Sequence, residues 1–222
     1  MRLCLLLLVL CACGMGGGSG PSRLTFGDTF EQPIVVGAPV KVRTQLPNGL
    51  FPSDVDGTLV VLDVDGKEIP VTKRSTGNFE VVLPRPGEFT FNGTAGLDEG
   101  SLTVRAEEMD ALVVESQAVV TRETDNSTCR RAAQSGPVTL APNESLEVNL
   151  VPKSKNGQPM LGAIDFEVLD VATWVSRPVL FAAPNEFSIR AAGDGSATFT
   201  DKRTGRFAVQ VVSLAETDAA CP

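Results

Sequence analysis

Apolar residues recur at every second position through most of this chain, in short runs broken by turn residues. Residues 40–46, Val-Lys-Val-Arg-Thr-Gln-Leu, alternate cleanly and stop at Pro47-Asn48-Gly49. Residues 58–62 form the next run, and Asp63-Val64-Asp65-Gly66 turns it into residues 67–72. Asp-Gly between two apolar runs is a hairpin signal. Residues 79–83, 88–92, 101–106 and 111–121 continue the series. No stretch of ten or more residues has a helical period of 3.6. A half-buried strand alternates in this way, so the sequence predicts an all-β chain of short, mainly antiparallel strands.

A polar stretch, residues 123–131, interrupts the pattern, which then restarts at 138–140, 145–151, 164–169, 178–181, 186–191, 197–200 and 207–214. Ile164, Phe166 and Val168 read as one face, and Phe207, Val209 and Val211 as the same inward kind of face. The eleven phenylalanines fall at inward strand positions wherever they can be placed, which makes them core. The two halves are alike. Pro86-Gly87-Glu88-Phe89-Thr90-Phe91 matches Pro184-Asn185-Glu186-Phe187-Ser188-Ile189 in kind at every position, a spacing of about 98 residues that reads as a tandem repeat.

About seven short strands in roughly 90 residues, with turns every 8–12, resemble a bacterial immunoglobulin-like sandwich. The resemblance implies two tandem immunoglobulin-like β-sandwiches, one over residues 24–122 and one over 137–222 with a C-terminal tail, joined by a linker at 123–136. The antibody-type cysteine pair between the sheets is absent. With no tyrosine in the chain there is no tyrosine corner, and fibronectin-III-like and cadherin-like variants stay open.

The N-terminus carries a different signal. Met1-Arg2 is followed by the apolar run 3–10, then Cys11-Ala12-Cys13, then Gly14-Met15-Gly16-Gly17-Gly18-Ser19-Gly20. The run is shorter than the roughly 20 residues a spanning helix needs and suits a signal-peptide h-region. The arrangement resembles a bacterial lipoprotein signal. Ala12 is the small residue before the cut, which leaves Cys13 as the lipidated first residue of the mature chain, in preference to Cys11. The resemblance implies a signal peptide over 1–12 and a membrane anchor through Cys13. Residues 13–23 then form the anchored cysteine and a flexible tether. Aspartate after the cysteine is the inner-membrane retention signal of enteric bacteria, so Gly14 points to the outer membrane of a cell envelope.

Beyond the signal region only Cys129 and Cys221 remain, and an even pair in an exported chain reads as one disulfide. The expected cost is geometric. Sandwich termini usually leave from opposite ends, so residues 215–220 are expected to lie back along the module to bring the sulfurs together.

Composition excludes several chemistries. There is no histidine, hence no Ser-His-Asp triad and no His-based zinc site. The net charge of −8 argues against nucleic acid as a partner. Asp54-Val55-Asp56-Gly57 and Asp63-Val64-Asp65-Gly66 have the alternating carboxylates of a calcium loop but lack its closing glutamate, and read as Asp-Gly turns. Glu123, Asp125 and Asn126 read as a solvated linker, Arg130-Arg131 as a solvated pair and Trp174 as core. No catalytic residue, metal site or cofactor is expected. The function this implies is a non-enzymatic, lipid-anchored binding or structural module, with a protein or cell-surface partner. Its candidate contact surfaces are the loop-like stretches 46–56 and 152–161. The alternative is an envelope enzyme or accessory subunit with an unrecognised carboxylate site.

Overall fold

The computed structural model describes residues 24–26, 30–48, 51–121, 128–169, 173–176, 185–191 and 193–219. Among the described residues every regular element is a strand. The first ten are β1 (Thr25–Phe26), β2 (Ile34–Val35), β3 (Pro39–Asn48), β4 (Phe51–Asp54), β5 (Thr58–Asp63), β6 (Glu68–Ile69), β7 (Val71–Ser75), β8 (Asn78–Val82), β9 (Gly87–Ala95) and β10 (Asp98–Glu107). They form two sheets, β1-β3-β8-β7 with β4 added on β3, and β2-β10-β9-β5-β6. The inner faces meet over Val42, Val61, Phe79, Phe89 and Phe91, all buried, and Phe30 stands edge-on to Phe91 with centroids 5.7 Å apart.

The second set is β11 (Ala111–Thr121), β12 (Thr128–Arg130), β13 (Val138–Leu140), β14 (Glu144–Lys153), β15 (Phe166–Leu169), β16 (Thr173–Ser176), β17 (Glu186–Ala191), β18 (Gly195–Asp201) and β19 (Phe207–Leu214). Its sheets are β12-β11-β14-β17-β16 and β13-β19-β18-β15. Phe166, Phe187 and Phe199 pack as a trio at its centre, the closest centroids 4.9 Å apart. In each set a short early strand runs parallel to the last long one, β2 to β10 and β13 to β19, while all other pairings are antiparallel. That crossing of the first strand between sheets is the immunoglobulin-like arrangement. The chain is two tandem immunoglobulin-like β-sandwiches.

Several expectations need correction. Residues 111–121 were assigned to the first sandwich, yet β11 pairs with β14 along ten positions, and Leu112, Val114 and Ala118 lie in the second core. A long alternating strand looks the same from either side of a boundary, and only its pairing partner assigns it. The expected linker 123–136 is in part structural. Residues 128–134 return antiparallel along β11, from Thr128 opposite Thr121 to Gln134 opposite Ser116.

The repeat was aligned one strand out of step. β8 and β17 hold equivalent places: Phe79 pairs with Val42 as Phe187 pairs with Val148, whereas β9 pairs with β10 and β17 pairs with neither β18 nor β19. Phe79 in β8 and Phe89 in β9 are both buried phenylalanines on short alternating strands, so either aligns tolerably with β17.

The inward phase of β19 is also the reverse of that expected. Ala208, Gln210 and Val212 are buried, and Phe207, Val209 and Val211 face out. Ala208 lies opposite Phe199 in the register, and the phenylalanine trio already fills that part of the core. Gln210 is satisfied inside by the carbonyl of Gly136 at 2.8 Å. The expected strand at 178–181 lies outside the described residues.

Candidate functional site

Three regions set the molecule's long axis. The first is the junction. Only residues 108–110 separate β10 from β11, and Met109 among them is buried. The amide of Val35 donates to Leu161 O at 2.8 Å, and the amide of Leu161 donates to Pro33 O at 2.8 Å. Ala163 N donates to Pro39 O at 2.8 Å. Side chains are exchanged as well. Val35 and Ala38 belong to the core of the second sandwich, and Leu161 packs on the core of the first. Gly162 permits this approach: its φ is +138°, and a Cβ there would stand 2.7 Å from Ala38 Cβ.

The second region is the opposite end of the first sandwich. β3 runs from Pro39 at the junction to Gln45, where Thr25 of β1 pairs. Leu24, just before β1, is buried against the other sheet in a notch made by Gly93 and Gly100, which are cross-strand partners. A Cβ on Gly93 would come within 2.6 Å of Leu24 Cδ2, and one on Gly100 within 2.3 Å of Leu24 O. The two glycines therefore make room for the entering chain.

The third is the far tip of the second sandwich. β14 begins there at Glu144 and runs to Lys153, whose carbonyl accepts from Asp110 N at the junction. Cys129 pairs with Val120 and Val120 with Glu144, so Cys129 lies at the tip. The last strand, β19, ends at the same tip. There the side chain of Asn143 grips the tail in both directions, its Nδ2 donating to Ala219 O at 3.0 Å and its Oδ1 accepting from Ala219 N at 2.9 Å. Ala219 is two residues from Cys221, which with Cys13 lies outside the described residues. Residues 215–219 therefore do not run back along the sandwich, and β12 places Cys129 at the end where Ala219 is held. Cys129 is not a free thiol.

The paired arginines are engaged rather than solvated. Arg130 makes a two-point contact with Glu147, at 3.3 and 3.2 Å. Arg131 donates to Glu144 Oε2 at 2.7 Å and to Thr139 O at 2.6 Å, clipping the 128–134 segment to β13 and β14. Ala141 N donates to the same Glu144 oxygen at 2.8 Å, as a capping carboxylate does.

Asp63-Val64-Asp65-Gly66 is a turn, whereas Asp54 ends β4 and residues 55–57 run on into β5 without one. Asp63 Oδ1 accepts from the amides of Asp65 and Lys67 at 3.0 and 2.9 Å, and Arg85 bridges Asp63 and Asp65 at 2.9 and 2.7 Å. The Lys67 amide holds the Asp63 carboxyl below the ordinary carboxylate value against desolvation, with help from Arg85. Asp54 accepts from Gln45 Nε2 at 2.8 Å, and Asp56 pairs with Lys73, which lowers its carboxyl likewise. Among the described residues no three His, Cys, Asp or Glu converge as a metal site. Among the described residues the buried carboxylates, Asp63, Glu144 and Asp201, belong to three separate turns. Asp201 is met by Thr204 Oγ1 at 2.6 Å and Thr204 N at 3.1 Å.

Of the two expected contact stretches, 46–56 is largely strand, Leu46, Pro47 and Asn48 of β3 pairing with Ser53, Pro52 and Phe51 of β4. The 152–161 stretch leaves β14 after Lys153 as a loop, closed by Ser154 N donating to Gln158 O at 2.9 Å before Leu161 enters the junction. Glu123, Asp125 and Asn126 lie outside the described residues. Trp174 sits on β16, opposite Arg190. The junction itself had no signal in the sequence beyond two isolated glycines, Gly37 and Gly162.

No protein-family model matches the chain, and no curated protein matches it in sequence. Solved structures align with the chain at low identity and low TM-score. Domains 5–6 of the S-layer protein SbsC align at 13% identity and TM-score 0.35, covering 89% of this chain and 100% of that one. A chimeric titin Z1Z2-Z1Z2 tandem aligns at 8% identity and TM-score 0.28, covering 87% and 100%. InvD of Yersinia pseudotuberculosis aligns at 13% identity and TM-score 0.30, covering 90% and 60%.

Proposed function

We propose that this chain is a non-enzymatic envelope protein, anchored through lipid on Cys13, whose two sandwiches act as a binding or structural module. The polarity of the body carries the reading. Leu24, directly after the tether at 13–23, enters at the end of the first sandwich remote from the junction. An anchor there places the second sandwich outermost and its tip farthest from the bilayer. Gly14 favours the outer membrane. Nucleic acid does not fit a chain of net charge −8. The partner is a protein or cell-surface component that meets the outer sandwich.

A disulfide between Cys129 and Cys221 belongs to the same proposal. The Asn143 grip holds Ala219, two positions before Cys221 in sequence, at the tip where Cys129 lies. An exported compartment lets such a bridge form and persist. Against an enzymatic alternative stands the commitment of each buried carboxylate to its own turn.

The test is Cys13→Ser in the native host, followed by membrane fractionation and mass spectrometry of the mature N-terminus. The expected result is a lipidated Cys13 in the parent and a soluble, unacylated variant. A parent whose mature N-terminus is a free amine on any other residue overturns the anchor.

A further inference from the structure

The outward face of the β13-β19-β18-β15 sheet carries most of the large apolar residues that stand exposed among the described residues. Phe207, Val209 and Val211 follow one another on it at 64, 45 and 44% exposure, and Leu169 on β15 adds 58%. They are contiguous: Phe207 stands opposite Thr200, Val209 opposite Thr198, and Thr198 opposite Leu169. The neighbouring outward positions, Ser196, Thr198 and Thr200, are small and uncharged, and Glu167 is the one charged side chain on these three strands' outer face. The first sandwich supplies an internal comparison. Its equivalent strand, β10, turns Ser101, Thr103 and Arg105 outward. The fold therefore does not require apolar residues there, and the stripe in the second sandwich needs another explanation.

We infer that this face is a self-association surface, on which a second copy of the chain docks sheet to sheet. Charge selects the occupant. With a net charge of −8, two copies repel over most of their surfaces. This face brings one carboxylate per copy, near its β15 edge, while β19 and β18 contribute none, so two identical faces meet without a run of like charges. Area sets the strength. β13, β19, β18 and β15 have 3, 8, 7 and 4 residues, and at about 3.3 Å per residue and about 4.8 Å between strands they give a planar face on the order of 350 Å² per copy. Two such faces bury on the order of 700 Å², the range of weak, transient contacts rather than of permanent dimers. The contact is a reversible dimer with β19 at its centre, Val209 of one copy against the β19 stripe of the other.

Sedimentation velocity of the intact protein over roughly 1–200 µM tests this, a range that brackets a reversible dimer of this size. The expected result is a concentration-dependent shift from monomer to dimer. Val209→Glu abolishes the shift while leaving the melting temperature and circular dichroism as in the parent. Leu97→Glu, at an isolated exposed leucine of the first sandwich, leaves the shift intact. A parent that stays monomeric throughout overturns the inference. So does a dimer that survives Val209→Glu. Photo-crosslinking from position 209 in cells gives a second readout. A homodimer adduct supports the inference, and adducts to a different protein alone overturn it. If Val209→Glu misfolds, Thr198→Lys on the same face replaces it, with the same expected loss.

Discussion

Val35 donates its amide to Leu161 O at 2.8 Å, while its side chain fills the core of the second sandwich and that of Leu161 packs on the core of the first. Neither sandwich is complete without a residue from the other. The protein is therefore expected to unfold in one cooperative transition, with secondary-structure and tryptophan signals coincident. Gly162→Ala should lower stability by about 1–3 kcal/mol, since it adds both a strained φ and a clash with Ala38. Two separate melting transitions in the parent would contradict this account.

Loss of the Asn143 side chain should free the tail. Asn143→Ala removes two hydrogen bonds to Ala219 and is expected to cost about 1 kcal/mol, with hydrogen exchange at the Ala219 amide accelerated far more than in β14. Unchanged exchange at Ala219 would count against the grip.

The disulfide makes its own prediction. Non-reducing peptide maps should contain one peptide joining Cys129 to Cys221. Reduction, or Cys221→Ser, should lower stability by about 4–5 kcal/mol on the loop-entropy model. Two thiols open to alkylation in freshly isolated protein would dismiss the bridge.

Asp63 gives a pH dependence of known sign. Its carboxyl is held below the ordinary value in the fold, chiefly by the Lys67 amide. Its contribution is thus complete above the carboxyl value of the unfolded chain, near pH 4, and is lost as pH falls through the lower folded value. Denaturant midpoints measured from neutral to about pH 2 should fall less steeply at the acid end in Asp63→Asn, which keeps the turn acceptor and loses the charge. An unaltered acid limb would show that Asp63 is not among the groups responsible.

Gly100→Ala is expected to eject Leu24 from its notch, because the added Cβ would lie 2.3 Å from Leu24 O. Limited proteolysis should then cut within residues 24–30, and stability should drop by about 1–3 kcal/mol. Retained protection of that segment would mean that β1 is held by Gln45 and Thr44 alone.

Alternation made the class of the fold and most of its strands readable, since period two survives any tertiary arrangement. It could not say which sandwich owns β11, because both of its boundaries look alike in sequence and only its ladder with β14 decides. Phase was legible at the entry to β15, where Ile164 just before it and Phe166 within it are buried, and misleading on β19, where the larger residues are the exposed ones. Hydrophobicity marks a core strand's inner face only if the outer face meets water alone. The two-residue strands β1 and β2 were invisible, being too short for any period. The junction depends on backbone contacts between distant segments, which residue type does not encode, and the tip on an Asn143 side chain whose partner Ala219 is 76 residues away.

The positions of Leu24 and Ala219 at opposite ends of the body have a mechanical consequence. Tension applied between an N-terminal tether and a ligand at the far tip runs along the strands. The β1–β3 and β2–β10 pairs are then loaded in shear, their hydrogen bonds stretched together rather than opened one by one. The Val35–Leu161 exchange lies in series on the same line and passes the load from one sandwich to the next without an extensible segment between them. Under the proposed anchoring, the two sandwiches would then act as a strut, and a pull on the outer one would be carried by these sheared pairs before either core opens.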